Sequence, residues 1–361
     1  MAAPRSADSA GLRPRGPGGT GAGGHDVSNW PGGEGRCGKA VRGPRGGGCH
    51  DDPVSDQDPE HNTPYGTADA AAEVFEEHRS VLTGVAYRML GRVADAEDVV
   101  QEAWLRWSGA DREGVRSPRA FLVRVTTRLA IDRLRQEQSR RESYVGPWLP
   151  EPLPTDMASE PVPDGADRAV LTESVSLAVL VVLESLSPLE RAVFVLREAF
   201  GFPYAEIATA LDRGEAAVRQ LAGRARRHVE ERRPRFEVDP GQQRDLTHRF
   251  LDAATGGDLE GLMSLLAPDT RLIGDSGGKA RAPLRVMTES RKIGRFLAAI
   301  GPQGAGYEWT VRELNGAQAL LAWEGERLRA AFVLDVADGL VRSVYILVNP
   351  DKLARLRRGA G

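Results

Sequence analysis

The sequence predicts a multidomain chain, two all-α helical domains followed by a C-terminal α+β domain. Three observations predict it. Apolar residues recur at helical 3/4 spacing through 71–141 and again through 171–235. Residues 241–361 carry short strand-like runs separated by Asn315-Gly316, Glu324-Gly325 and Asp338-Gly339, dipeptides suited to tight hairpin turns. Pro- and Gly-rich stretches at 142–170, and at Pro234 and Pro240-Gly241, separate these parts. A length of 361 residues allows two or three domains.

Residues 1–70 hold 16 of the 41 glycines, with many Pro and Ser. Such a composition cannot bury enough surface to offset its ordering entropy, so a disordered tail is expected; a start codon assigned too far upstream is a second reading. The only cysteines, Cys37 and Cys49, lie here near His25 and His50. They lack the C-x-x-C spacing of a zinc site, so no metal is expected, and two cysteines fit a reducing cytoplasm.

The first helix should begin near Ala70, with Val74, Phe75, His78, Val81, Leu82, Val85, Ala86 and Met89 on its stripe, and stop at Gly91. A second runs from Asp95 to about Trp107, burying Val99, Val100, Ala103, Trp104 and Trp107. Asp95, Asp98 and Glu102 share another of its faces, with Glu97 and Gln101 beside them. A third, about 119–140, starts after Pro118, a favoured first helical position, and buries Phe121, Leu122, Val125, Leu129 and Leu134. Between 112 and 141 there are nine Arg against Glu113, Asp132 and Glu137, about +6, beside about −4 between 95 and 102. One such run alone reads as a solvated face; two adjacent helices of opposite sign read as two binding surfaces.

The linker 142–170 is expected to be extended, because Pro147, Pro150, Pro152 and Pro154 oppose helix. Trp148 and Leu149 are out of place in a spacer and suggest docking. Helices return with two amphipathic runs separated by Ser187-Pro188, an N-cap and first helical position. A short helix over 204–211, a turn at Asp212-Arg213-Gly214 and an Arg-rich helix over about 215–232 match the helix-turn-helix plan. Beyond Pro240, short helices are expected at about 244–254 and 259–266 and a longer one at 286–300. Strands are expected at 269–275, 307–312, 317–323, 327–334 and 340–348. The net charge of −3 excludes a uniformly basic nucleic-acid coat. No apolar run reaches the roughly 18 residues of a membrane helix, and no secretory signal is visible.

DAEDVVQEAWLR at 95–106 resembles region 2.2 of extracytoplasmic-function (ECF) sigma factors, and SPRAFLVRVTTRLAIDRL at 117–134 resembles their regions 2.3–2.4. LSPLERAVFVL at 186–196 and the helix-turn-helix of 204–227 resemble region 4. WLPEP at 148–152, DSGGK at 275–279 and NPDKL at 349–353 resemble motifs of a group within that family that carries a fused C-terminal SnoaL-like (NTF2-like) cone in place of a separate membrane anti-sigma factor. Ser276 stands where that group has Gly, and a side chain restricts φ there.

The resemblance implies a transcription initiation factor: a region 2 bundle at 71–141, region 4 at 171–235 and a regulatory cone at 241–361. It implies no enzyme activity and no cofactor. RNA polymerase core and promoter DNA are the implied partners, in the cytoplasm and without a membrane, and the cone leaves room for an unidentified small ligand. Asp95, Asp98, Gln101 and Glu102 would dock on core polymerase. Arg112, Arg116, Arg119, Arg124, Arg128 and Arg135 would contact the −10 element, where Arg can hold phosphate or a flipped base. Glu215, Arg219 and Gln220 would read −35 bases in the major groove, with Arg224, Arg226 and Arg227 on phosphate. Trp148 and Leu149 would anchor the linker against a surface made by Asp275, Gly277, Gly278, Lys279, Asn349, Pro350, Asp351, Lys352 and Leu353. As acid/base groups in the cone, Asp252, Asp269, Asp275 and His248 qualify only by residue type. The alternative is a one-component helix-turn-helix regulator with a ligand-sensing cone. That reading leaves the acidic helix and its Arg-rich neighbour without a task.

Overall fold

The computed structural model describes residues 68–112, 114–141, 143–155, 176–232 and 239–356, all within one compact unit. Cys37, Cys49, His25 and His50 lie outside these residues.

Helix α1 (Ala68–Leu90) ends at Gly91, whose φ of +72° suits glycine. Helix α2 (Val93–Ser108) and helix α3 (Pro118–Arg141) complete a three-helix bundle. Its centre buries Phe75, Leu82, Met89, Val99, Leu122 and Trp107, whose indole donates to the Ala71 carbonyl at 2.9 Å. The second helical set comprises α4 (Leu177–Leu183), α5 (Pro188–Phe194), α6 (Tyr204–Leu211) and α7 (Glu215–Arg232). Ser187 and Glu190 close a reciprocal capping box at the start of α5. Helix α5 runs into a π-helical turn over Val195–Ala199, which the sequence pattern does not show. Asp212 closes α6 in the left-handed region (φ +55°), where a short polar side chain is tolerated, and turns the chain into α7. One continuous apolar cluster joins both helical sets, because α3 packs directly on α6 and α5.

The C-terminal part consists of α8 (Pro240–Thr255), α9 (Leu259–Leu265), α10 (Ser290–Ile300) and a six-stranded sheet. Its strands are β1 (Leu266–Asp275), β2 (Met287–Thr288), β3 (Glu308–Leu314), β4 (Ala317–Glu324), β5 (Arg327–Ala337) and β6 (Leu340–Leu347). Their order is β2-β1-β6-β5-β4-β3. Strand β1 runs parallel to β6, and the other pairings are antiparallel. Asn315, Gly316, Gly325, Asp338 and Gly339 all take positive φ in the hairpin turns. The helix expected from residue 286 begins at Ser290, because Met287 and Thr288 pair with β1 and Glu289 has a φ of +74°. Helix α8 starts four residues earlier than expected, where Asp239 caps it with a bond to Gln242 N at 2.9 Å.

Both faces of the sheet are covered. Leu246, Phe250, Leu262, Ile293 and Leu297 from the helices pack on one face. The other receives Leu149 from the linker, Leu177 and Ala178 from α4, and Leu353 and Leu356 from the C-terminal turn, which includes α11 (Pro350–Leu353).

Candidate nucleic-acid interface

The acidic helix α2 divides its carboxylates between interior and surface. Asp95 is 6% exposed and takes Arg133 of α3 at 3.1 Å, with Arg92 at 3.7 Å. It thus ties α2 to α3 and holds the Arg133 guanidinium firmly protonated, in place of presenting a charge outward. Spacing alone put Asp95 on the same face as Asp98 and Glu102. The packing of α3 against that edge turns it inward. Glu97, Asp98, Gln101 and Glu102 are exposed, and Glu102 pairs with Arg106 at 2.7 Å. Glu97 is held bidentately, at 2.6 and 2.9 Å, by Arg355 from the far end of the chain. No sequence pattern joins residues 258 positions apart, so this contact is invisible before folding.

The basic side of α3 is partly engaged by the helix-turn-helix. The Arg128 Nε donates to the Ala210 carbonyl at 3.0 Å, and the Arg119 guanidinium lies 4.5 Å from the Phe202 ring centroid. Arg124 lines a small groove with Ala205, Glu206 and Thr209. Arg112 folds back on the end of α2, donating to the Ser108 carbonyl at 3.0 Å. Arg116 is exposed, and exposed Arg135 pairs with Asp132 at 3.1 Å.

On α7, Val218, Ala222 and Ala225 pack inward while Arg219, Gln220, Arg224, Arg226 and Arg227 are exposed. Arg219 binds the half-buried Glu215 one turn earlier and lies over the Tyr204 ring. Arg224 pairs with Glu190 at 3.0 Å and Arg226 with Glu198 at 2.6 Å. Such exposed pairs contribute about 0–1 kcal/mol, so phosphate can compete for both arginines. Gln220 and Arg227 make no ion pair or side-chain hydrogen bond among the described residues.

The linker and the two glycine- and proline-marked motifs converge on Asp275, at the end of β1. Its carboxylate is fully buried and accepts from the Tyr144 hydroxyl at 2.5 Å, Leu149 N at 2.7 Å and Lys352 Nζ at 2.6 Å. Lys352, 4% exposed, also donates to the Leu149 carbonyl and lies 4.0 Å from the Trp148 ring centroid. Asn349 caps α11, and its amide donates to the Tyr144 hydroxyl at 2.9 Å. Burial and the adjacent Asp275 carboxylate raise the Tyr144 pKa, so its hydroxyl keeps the proton it donates. Gly277 and Gly278 have φ of +55° and +72°, and a Cβ on Gly277 would stand 2.5 Å from the Asn349 amide nitrogen. Ser276 has no positive φ; its hydroxyl accepts from Gly278 N at 3.3 Å. The substitution in this loop therefore falls where glycine is not required. Lys279 pairs with Asp351 across the same node, and Pro350 contributes to the adjoining cavity.

The same linker grips the helical bundle. Its Glu151 N donates to the Gly91 carbonyl at 2.8 Å, and the Glu151 carbonyl accepts from Tyr87 at 2.7 Å. The Glu151 carboxylate accepts from Val93 N at 2.9 Å and faces Arg355 at 3.6 Å. Asn315 in the β3–β4 turn exchanges bonds with Leu153 and donates to the Tyr87 hydroxyl at 3.0 Å. Sequence reading missed Tyr87, Tyr144, Glu151, Asn315 and Arg355. Each is an ordinary helix, loop or turn residue locally.

Asp252, Asp269 and His248 lie outside the large cavity of the C-terminal domain, and Asp269 pairs with Arg342 at 3.1 Å. Among the described residues, no group of three His, Cys, Asp or Glu side chains is arranged to hold a metal ion, and no helix is long and apolar enough to cross a membrane.

The Sigma-70 region 2 family matches residues 74–140, and Sigma-70, region 4 matches residues 176–229. The chain is 41% identical over 290 residues to the ECF RNA polymerase sigma factor SigJ of Mycobacterium tuberculosis, covering 77% of this chain and 91% of that protein. It is 34% identical to the probable ECF RNA polymerase sigma factor SigI of the same species, covering 81% of this chain and 98% of that one. The crystal structure of Mycobacterium tuberculosis SigJ superposes with a TM-score of 0.60 at 37% identity, over 78% of this chain and 98% of the other. The region 2 match accounts for the acidic and Arg-rich helices that a one-component regulator leaves without a task. A helical sigma-type part joined to a C-terminal sheet domain, related along most of its length to SigJ, makes this chain a member of the extracytoplasmic-function RNA polymerase sigma factors.

Proposed function

We propose that the C-terminal domain restrains the sigma domains in a closed arrangement that must loosen for promoter binding, and that the chain acts in the cytoplasm beside RNA polymerase. The observation that carries this reading is the linker 143–155. One edge of it bonds to Gly91, Val93 and Tyr87 of the bundle, and the other bonds to Asp275, Lys352 and Asn315 of the C-terminal domain.

In the proposed mechanism, Asp98, Gln101 and Glu102 meet core polymerase, joined by Glu97 once Arg355 lets go. Charge complementarity speeds that encounter and apolar neighbours set its lifetime. Arg116, Arg119, Arg124, Arg128 and Arg135 hold the opened −10 strand. Arg119 and Arg128 become available only when α6 leaves α3, since Phe202 and the Ala210 carbonyl occupy them here. Gln220 and Arg219 read −35 base edges, while Arg224, Arg226 and Arg227 exchange carboxylate or solvent for phosphate. In this reading the C-terminal domain acts by binding and not by turnover.

Run-off transcription with core polymerase on the promoter upstream of the gene tests this. It compares residues 71–361 with versions ending near 240 and near 349. Silence of the long form with activity after trimming at 349 is the expected result. Equal activity of all three versions would remove the restraint, and failure of all three to bind core would remove the assigned polymerase surface.

A further inference from the structure

The C-terminal domain has an open cavity of about 810 Å³ between the sheet and its helices, within the range of about 300–1,000 Å³ typical of small-molecule sites. Its walls include Phe250, Phe296, Trp309 and Phe332, with Leu320 and Ile346 behind them. Its charged lining has a single sign. Lys279 and Arg281 come from the loop after β1, and Arg327 and Arg329 from the start of β5. No Asp or Glu belongs to the described lining. Two of the four cations have carboxylate partners outside the cavity: Lys279 binds Asp351 and Arg329 binds Glu324. Arg281 and Arg327 are exposed and make no ion pair among the described residues.

An apolar interior of this size draws in an apolar body through the area it removes from water. Guanidinium groups at an opening select a carboxylate or similar oxyanion, which they can bind bidentately. A neutral body would leave the cationic rim unused, and a cationic one would meet like charge. We propose that this cavity binds an amphiphilic organic anion, its apolar body among Phe250, Phe296, Trp309 and Phe332 and its acidic head at Arg281 and Arg327. Tyr307, Thr255, Gln303 and Trp309 supply the uncharged polar side chains of the lining. The proposal stands apart from the restraint proposed above, since a filled cavity and a closed linker are separately measurable.

The test uses the full chain with the anionic fluorophore 1-anilinonaphthalene-8-sulfonate, displaced by dodecanoate or by 9-anthracenecarboxylate below their aggregation limits. Methyl dodecanoate and dodecylamine serve as neutral and cationic controls. We expect one site per chain and displacement by at least one of the two acids at a concentration tenfold or more below that of either control. Displacement by the alkyl acid alone or the aromatic acid alone identifies the shape of the body. The charge reversals Arg281→Glu and Arg327→Glu lie on exposed positions that do not build the core, and each is expected to weaken the acid at least fivefold. Arg295→Glu, also exposed but outside the cavity lining, is expected to leave binding unchanged. Equal displacement by acid, ester and amine would overturn the proposal, as would acid affinity unmoved by the two reversals, or no saturable site with any probe.

Discussion

Gly91 occupies a place that only glycine fits. Its φ is +72°, and a Cβ there would come within 2.6 Å of Trp148 Cη2. The same residue offers its carbonyl to Glu151 N, so one position both ends α1 and seats the linker. Gly91→Ala should lower stability by about 1–3 kcal/mol, the usual cost of an L-residue held in a rare backbone conformation plus the displaced indole. The denaturation midpoint and a red shift of tryptophan emission measure it. Tyr144 gives a pH signature at the same scale. Its pKa is raised by burial and by Asp275, so the folded state keeps a proton that the unfolded chain releases above about pH 10. Its stabilising effect is therefore complete below that pH and fades as the pH climbs toward the raised folded value. Wild type should lose stability above pH 10 more steeply than Tyr144→Phe, by up to about 1.4 kcal/mol per pH unit. Urea titrations of both proteins between pH 8 and 11 compare the slopes, and parallel curves would contradict the assignment.

At the scale of elements, α2 and α3 show how charge patterning becomes two different things once packed. Asp95 turns inward to Arg133, which also reaches the exposed Asp98 at 3.4 Å, while Gln101 and Glu102 stay outward. Helix α3 meets α6 through Arg128, and meets the segment just before α6, at Phe202, through Arg119, so this Arg-rich helix faces another part of its own chain. Arg355→Glu replaces the bidentate grip on Glu97 with repulsion. The exposed Glu97 pair itself contributes only about 0–1 kcal/mol, but Arg355 also faces the buried Glu151 carboxylate at 3.6 Å, so the reversal should destabilise the fold by more than that pair alone. Core polymerase affinity should nevertheless rise severalfold, read by fluorescence anisotropy of labelled protein. Unchanged affinity would mean that the Glu97 contact does not guard the polymerase surface.

Across the whole molecule, the node at Asp275 is the junction on which linker, β1 and α11 depend together. Removing one partner of a buried ion pair typically costs about 3–5 kcal/mol, because the other charge is left uncompensated. Asp275→Asn should therefore destabilise strongly by stranding Lys352, and Asp275→Asn with Lys352→Met should recover part of that loss. Hydrogen exchange would localise the effect, with amides of the linker 143–155 losing protection before those of the bundle α1–α3. Simultaneous loss everywhere would show that the linker is not a separately releasable unit. Promoter binding by the freed sigma part should also show the salt dependence of phosphate contacts. Replacing Arg227, which makes no ion pair among the described residues, should reduce the slope of log affinity against log salt by about 1.

The sequence by itself determined the elements and their kind. Helical periodicity marked α1–α3, the Ser187-Pro188 start of α5 is a capping box in the structure, and the three Gly-containing hairpin turns take the positive φ that their residues favour. These signals are legible because caps, turns and amphipathic faces depend on neighbours a few positions apart. The motif glycines and Lys352 were also visible as a pattern, though not the reason for them. Tertiary structure alone decided that Asp95 is internal, that α3 is covered by α6, that Arg355 reaches Glu97 and that Tyr144, Leu149 and Lys352 share one carboxylate. The start of α10 belongs to this second kind, since the pairing of Met287 with Leu272 took precedence over local helical preference. Such contacts join residues from 15 to 258 positions apart. Chain closure over that distance leaves no periodicity to read, and the direction of a side chain is set by whatever packs beside it.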